Sequence, residues 1–437
     1  MEVKPGYKQT EVGVIPEEWE VKTFEKLFNF SGGYSASRDQ LSSEGHCYLH
    51  YGDIHGATKT TVDVRADYQN ISKLNIPLKR VASKSLLEDG DIVFVDASED
   101  DEGTSRHVVV VNKDKKPFIS GLHTIVAKSK TDELVQEYRR YCFQTATIRQ
   151  QFLFYAVGTK VSGISKTNIA KLKLPVPTLP EQRAIATALS DVDGLLGGLD
   201  RLIAKKRDLK QAAMQQLLTG QTRLPGFQGE WEVKRLGELF NFSGGYSASR
   251  DQLSAEGHCY LHYGDIHGST KTCIDADTDF QDIPKLDIPL KRVSSGSLLD
   301  DGDVVFVDAS EDDAGTSKHV VVVNKDKKPF ISGLHTIVAK SKTDELAHEY
   351  RRYCFQTPAI RQQFLFYSVG TKVSGISKSN IPKLTLSFPS VPEQTAIASV
   401  LSEMDTELAV LEQRREKTRA LKQAMMQELL TGKTRLV

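Results

Sequence analysis

The sequence predicts an α+β protein in which two repeated globular domains are joined by two long antiparallel coiled-coil helices, with an internal pseudo-two-fold symmetry. Three observations carry this. The chain of 437 residues repeats itself at an offset of 212: Trp19 aligns with Trp231, Ser31-Gly-Gly-Tyr34 with Ser243-Gly-Gly-Tyr246, and Leu217-Leu-Thr-Gly220 with Leu429-Leu-Thr-Gly432. Each copy begins with short β-rich runs broken by turn residues, and each ends in a long stretch with coiled-coil spacing.

Over 31–170 against 243–382, 24 of 140 positions differ, about 83% identity without a gap. Many of the differences are conservative, such as Val62/Ile274 and Tyr68/Phe280, as in a diverged duplication. The period is far longer than that of a solenoid, so each copy is a domain plus a connector. The elements divide the chain into 1–177 and 221–389 as globular domains, with 178–220 and 390–437 as helical connectors.

Within the first domain, Cys47–Tyr51, Asp91–Val95 and His107–Val111 read as strands, and Asn112–Pro117 as a solvated hairpin turn. A helical stretch is expected near Thr131–Tyr155. Thr178-Leu-Pro-Glu181 and Ser390-Val-Pro-Glu393 read as capping boxes with proline in the first turn, and Gly220 and Gly432 as stops. Between them Ile185, Leu189, Val192, Leu196, Leu199 and Ile203 step by 4, 3, 4, 3, 4, and Ile397, Leu401, Met404, Leu408 and Leu411 step likewise. About 38 residues at 1.5 Å each make a rod of about 57 Å. Its simplest partner is the other copy, antiparallel, which would hold the globular domains apart. Gly194, Gly197 and Gly198 predict a kink or a close backbone contact in the first helix.

Composition excludes several classes. With 57 basic and 57 acidic residues and 39% hydrophobic content, the chain reads as a soluble, cytoplasmic protein. It has no apolar run long enough for a membrane helix and no secretory leader at Met1–Thr10. Five cysteines without a CxxC pair suggest neither a disulfide framework nor a zinc finger. His46, Cys47 and His50 cannot converge on zinc from one strand, because His46 and His50 lie about 13 Å apart and Cys47 faces the other way. Gly432-Lys-Thr434 resembles the end of a phosphate-binding loop, but Gln427 occupies the first glycine's place and the segment follows a helix. Asp96 with Asp114-Lys-Lys116, repeated at Asp308 and Asp326-Lys-Lys328, is weak as a nuclease site. No Asn-Pro-Pro-Tyr-type methyltransferase motif occurs.

Together, Tyr7–Trp19, Tyr48-Leu-His-Tyr-Gly-Asp53, Leu87–Ile92, Val161–Ser165, Pro175–Gln182, Leu217–Leu224 and Pro225–Trp231 resemble the specificity subunit of type I restriction-modification systems over the whole chain. The resemblance implies two target-recognition domains, each reading half of a split double-stranded DNA site. It implies helices that bind two methyltransferase subunits and set the half-site spacing, and restriction-translocase subunits that join through the complex. S-adenosylmethionine and ATP with magnesium would belong to those partners; this chain is expected to hold no cofactor, no metal and no catalytic centre. A protein-interaction scaffold without DNA, or a self-contained nuclease, is the alternative.

Three loops in each copy carry the side chains suited to phosphates and base edges. The first offers Tyr34, Ser35, Ser37 and Arg38, repeated as Tyr246, Ser247, Ser249 and Arg250. The second offers Thr104, Ser105 and Arg106, repeated as Thr316, Ser317 and Lys318, and the third Thr159, Lys160 and Ser162, repeated as Thr371, Lys372 and Ser374. His55 and Lys59, with His267 and Lys271, and also His123, are weaker candidates. A serine-capped turn, a solvated loop and a structural turn are the competing readings of the three loops. Arg106/Lys318 exchanges a bidentate donor for a point charge. Residues 31–170 carry a net charge of +1 and 243–382 of −3, so the chain alone is expected to bind DNA weakly.

Overall fold

A computed structural model describes residues 3–56, 59–98, 105–158, 161–269, 271–310, 318–369 and 374–436. The chain forms two compact units, Met1–Asp200 with Gln413–Val437, and Arg201–Glu412. Each combines one globular domain with the beginning of one long helix and the end of the other.

In the first unit a five-stranded sheet has the order Phe28–Gly32, Thr124–Ser129, Ile92–Val95, His107–Val111, Thr61–Asp63. Its last pair is parallel and the others are antiparallel. A four-stranded sheet runs Phe118–Ser120, His46–Leu49, Lys73–Leu74, Leu41–Ser42. The apolar runs of the central strands are continuous because both faces of the larger sheet are covered. Ile92, Phe94, Val109, Ile125 and Ala127 face a core shared with the helices. Val93, Val95, Val108, Val110 and Val126 alternate onto a second core with Cys47, Leu49 and Phe118 of the smaller sheet. The second unit repeats both sheets in Phe240–Ser341, with the same strand orders.

Three expectations about these elements are corrected. Asn112–Pro117 is a turn, in which the Asn112 amide bonds both ways with Lys116, but not a hairpin. The strand before it joins the larger sheet and the strand after it the smaller one. The stretch near Thr131–Tyr155 is not one helix: a 3-10 turn at Tyr138–Arg140 precedes the helix Ala146–Tyr155. The break falls at Thr145, whose hydroxyl caps the new helix by accepting from Ile148 N at 3.3 Å. The glycine expectation also fails in part, since a Cβ on Gly194 or Gly198 would meet nothing within 4 Å. These two glycines therefore mark no close backbone contact.

The long helices are Leu179–Leu217 and Val391–Leu429. In the first unit Asp193 pairs with Lys422 at 2.6 Å and Asp200 with Arg415 at 3.5 Å. In the second, Lys206 pairs with Glu407 at 2.6 Å and Lys210 with Asp405. As the number rises on one helix it falls on the other, so the helices pair antiparallel. Ile185, Leu189, Leu199, Ile203, Ile397, Leu401 and Leu408 of the seam are buried. Each globular domain is pinned to this pair by a tyrosine: Tyr141 donates to Asp193 and Tyr353 to Asp405, both at 2.8 Å.

The helix starts correct a fourth expectation. Glu181 is fully buried and its carboxylate makes a tertiary knot in place of a capping box. It accepts from Trp19 Nε1 at 2.8 Å and from Arg435 Nε at 2.5 Å and Nη2 at 2.9 Å. Gly432, in the left-handed region at φ 70°, lets the tail pass where a Cβ would fall 2.4 Å from Pro16 and 3.2 Å from Trp19. The second unit repeats the knot with Glu393 and Arg223, beside Trp231.

Candidate nucleic-acid interface

The described ends of the candidate loops of one unit flank the strands His46–Leu49 and Ile92–Val95. Tyr48, fully buried, ties the first loop to the 121–124 turn: its hydroxyl donates to Tyr34 O at 2.9 Å and accepts from Leu122 N at 3.0 Å. Gly33 packs so tightly on the 121–124 turn that a Cβ there would fall 1.7 Å from Gly121 O. Only glycine fits this approach. Ala97–Ser98 pairs with Ser162–Gly163, which brings Ser162 beside Ser98. His55 Nε2 lies 2.7 Å from Ser98 Oγ, and Ile164 N donates to Asp96 O at 2.7 Å.

Individual side chains divide into outward and inward groups. Ser35 and Arg38 are exposed, with the Arg38 guanidinium lying over Gly52. Tyr34 packs half-buried against Ala36 and Tyr48. Ser37 engages Gln40 through its backbone N at 2.9 Å and its hydroxyl at 3.1 Å, as a serine-capped turn would. Lys59 is exposed, 3.6 Å from Asp67. Ser105 and Ser162 are half-buried. In the second unit Ser247 and Arg250 are exposed and Tyr246 half-buried, Ser249 repeats the Gln252 turn, and Lys271 pairs with Asp279 at 2.6 Å. His267 occupies the end of the helix Tyr263–His267, as His55 ends Tyr51–His55. Thr104, Thr159, Lys160, Thr316, Ser317, Thr371 and Lys372 lie outside the described residues, and Ser374 is placed only as part of the strand Ser374–Gly375.

The exchange Arg106/Lys318 has a structural explanation that sequence did not supply. Arg106 donates to His55 O, and Lys318 donates to the equivalent His267 O. Both cations close the same loop, so the swap preserves a local bond. Sequence reasoning weighed Asp96 only as a weak nuclease carboxylate and gave no DNA role to it, to Tyr51 or to the exposed Phe154, which repeats as Phe366; both phenylalanines are 80% exposed.

The zinc reading fails at the atoms as well. His50 Nδ1 accepts from Gly52 N at 3.1 Å, and burial holds its imidazole below the usual range, so the ring is a neutral cap. Burial likewise pushes the Cys47 thiol up and away from the thiolate a metal needs. Among the described residues no three His, Cys, Asp or Glu gather as a metal-holding group. No helix among them is long and apolar enough to cross a membrane.

A family model described as the type I restriction modification DNA specificity domain matches residues 16–203 and again 228–419, most of the chain. The chain belongs to this family. As a specificity subunit it is the DNA sequence-recognition component of a type I restriction-modification complex, and a non-catalytic one. Among its relatives are two proteins of Methanocaldococcus jannaschii. A putative type I restriction enzyme MjaX specificity subunit is 22% identical over 452 residues, 99% of this chain and 97% of that protein. The MjaVIII specificity subunit is 24% identical over 354 residues, 74% of this chain and 75% of that protein. The fold is shared with the S subunit of a type I system from M. genitalium, at TM-score 0.53 and 14% identity over 98% of both chains. It is shared too with a chain solved in work on complex assembly and conformational transition of the type I R-M system, at TM-score 0.58 and 16% identity, covering 96% of this specificity subunit and 99% of that chain.

Proposed function

We infer that the globular domains 1–177 and 221–389 of this specificity subunit each read one half of a bipartite site in double-stranded DNA, and that the two halves are the same. The helical segments 178–220 and 390–437 would seat two methyltransferase subunits and set the distance between the halves, with restriction subunits joining through them. S-adenosylmethionine and ATP would then act on those partners, in the cytoplasm. The reading loops would be those named above: 34–38, 104–106 and 159–162, with 246–250, 316–318 and 371–374.

The observation that carries the equal-halves reading is the near-identity of the two faces in both sequence and geometry. The Tyr48 hydroxyl lies 2.9 Å from Tyr34 O and the Tyr260 hydroxyl 2.8 Å from Tyr246 O. The His50–Tyr51 and His262–Tyr263 ring pairs both stand 4.4 Å apart. Two such readers, if placed about a two-fold, would see one sequence on opposite strands, which would make the target an interrupted palindrome or nearly one. Methylome sequencing of cells carrying the complete system should return such a motif, and two unrelated half-sites would sink the reading. Inserting one heptad into each long helix adds about 10 Å of rod and should lengthen the spacer by about three base pairs with the half-sites untouched. Altered half-sites would refute this division of labour.

A further inference from the structure

His123 and His335 stand out in the backbone. Among the described residues only four non-glycine positions have positive φ: Lys115, Lys327, and these two histidines, both at 57°. Lys115 and Lys327 sit in the Asn-led turns between sheets. The histidines instead occupy the tip of a turn between Phe118–Ser120 and Thr124–Ser129, or its repeat, where glycine would relieve the strain.

The surrounding framework over-determines this conformation. Gly121 N donates to Leu49 O at 2.9 Å, and Leu122 N to the Tyr48 hydroxyl at 3.0 Å. Thr124 Oγ1 donates to Gly121 O at 2.6 Å, with Ser120 Oγ at 2.8 Å beside it. His123 O itself accepts from Asp96 N at 3.1 Å. So much bonding at a turn whose outermost residue is a strained, half-exposed imidazole points to the imidazole as what the turn presents.

Its ring is also aimed. Nδ1 lies 3.3 Å from Asp96 Oδ1, and the Tyr51 ring meets it edge-on with centroids 5.5 Å apart. The second unit repeats this at 3.2 Å from Asp308 and 5.4 Å from Tyr263. A carboxylate accepts at Nδ1, and the neutral tautomer that fits this contact carries its proton there and leaves a lone pair on Nε2. Nε2 has no protein partner among the described residues, and the side chain is 50% exposed in both units.

We propose that His123 and His335 each read one base pair, accepting through Nε2 from the exocyclic amino group of cytosine or adenine in the major groove, with Asp96 and Asp308 as positioning residues. Major-groove amino groups are the donors that distinguish these bases. The proposal rests on the reading that the surrounding loops face DNA. His123 neighbours them through Asp96, which continues into Ala97–Ser98.

The test uses the complete methyltransferase complex on duplexes in which each base pair of the recognised site is changed singly. H123N keeps a residue tolerant of positive φ, and H123G relieves the backbone entirely while removing the ring; H335N and H335G do the same in the second unit. Each is expected to lose about 10- to 100-fold of discrimination at one base pair of one half-site and none elsewhere. D96N, which leaves the imidazole but unfixes it, should relax that same pair less. Unchanged discrimination at every position would overturn the proposal. So would a uniform loss across all positions in the glycine variants, which marks a phosphate contact. A parent complex that methylates without sequence preference would instead overturn the DNA-reading assignment beneath it.

Discussion

Replacing Glu181 by alanine is expected to destabilise the first unit by about 3–5 kcal/mol, whereas the equivalent E393A should cost the second unit only about 1–2 kcal/mol. Glu181 is wholly buried and serves two donors, the Trp19 indole and the Arg435 guanidinium. Its removal orphans an indole N–H that is itself fully buried, opens a void beside it, and leaves Arg435 with only the exposed Glu18 at 2.8 Å. Glu393 is as deeply buried, but Trp231 Nε1 has no hydrogen-bond partner even in the parent chain, so nothing is lost there. Arg223 and Arg435 have side chains 25% and 24% exposed and can both return to water, so the difference rests on the indole. The chain has two tryptophans, one beside each carboxylate, which makes the measurement direct. Denaturant unfolding followed by fluorescence in a W231F background reports the first unit, and in a W19F background the second. Equal losses in the two units would show that the indole bond carries no weight. E181Q, which keeps an acceptor for Trp19 but gives up the ion pair, should fall between parent and E181A.

That knot also shows what kind of information the sequence holds. The repeat, the long helices and the strands were legible because each is written in local spacing: period two where one face is buried, continuous apolar runs where both are, and 4-3 steps along the helical seam. Glu181 was read as a capping residue because Thr-x-x-Glu has the same spacing whether its carboxylate turns back to the cap or reaches a partner 162 or 254 residues away. The Asn112 turn was read as a hairpin for the same reason, since nothing local reveals that its flanking strands join different sheets. At the candidate interface the glycine-, serine- and threonine-rich loops were visible by composition. The contacts of their described ends were not, nor was the pairing of Asp96 with His123 across 27 residues. Arg106 and Lys318 read as free donors until the His55 and His267 carbonyls appeared beneath them.

Acidification should destabilise the first unit through one buried histidine. His107 is buried between Phe94 and Phe143, with ring centroids 5.5 Å and 5.2 Å away, and its Nε2 has no hydrogen-bond partner. Burial pushes its pKa down to about 4 against an ordinary 6.5, although backbone groups of Ser105, Arg140 and Arg139 pull the other way. Between those two values the unfolded chain holds a proton on this ring and the folded chain does not. Stability must therefore rise with pH across that window. The contribution is intact above about 6.5, is lost progressively as pH falls towards 4, and changes no further below. A shift of that size corresponds to about 3 kcal/mol. H107L removes the titration while filling an apolar site, so parent and variant should unfold with similar free energies at pH 7.5, and the variant should be the more stable by about 3 kcal/mol at pH 4. Comparing the two cancels groups they share, such as Asp91, whose burial raises its pKa and acts in the opposite sense. Parallel pH profiles for parent and H107L, followed by Trp19 fluorescence in the W231F background, would show that His107 takes up its proton as readily in the folded chain as in the unfolded one.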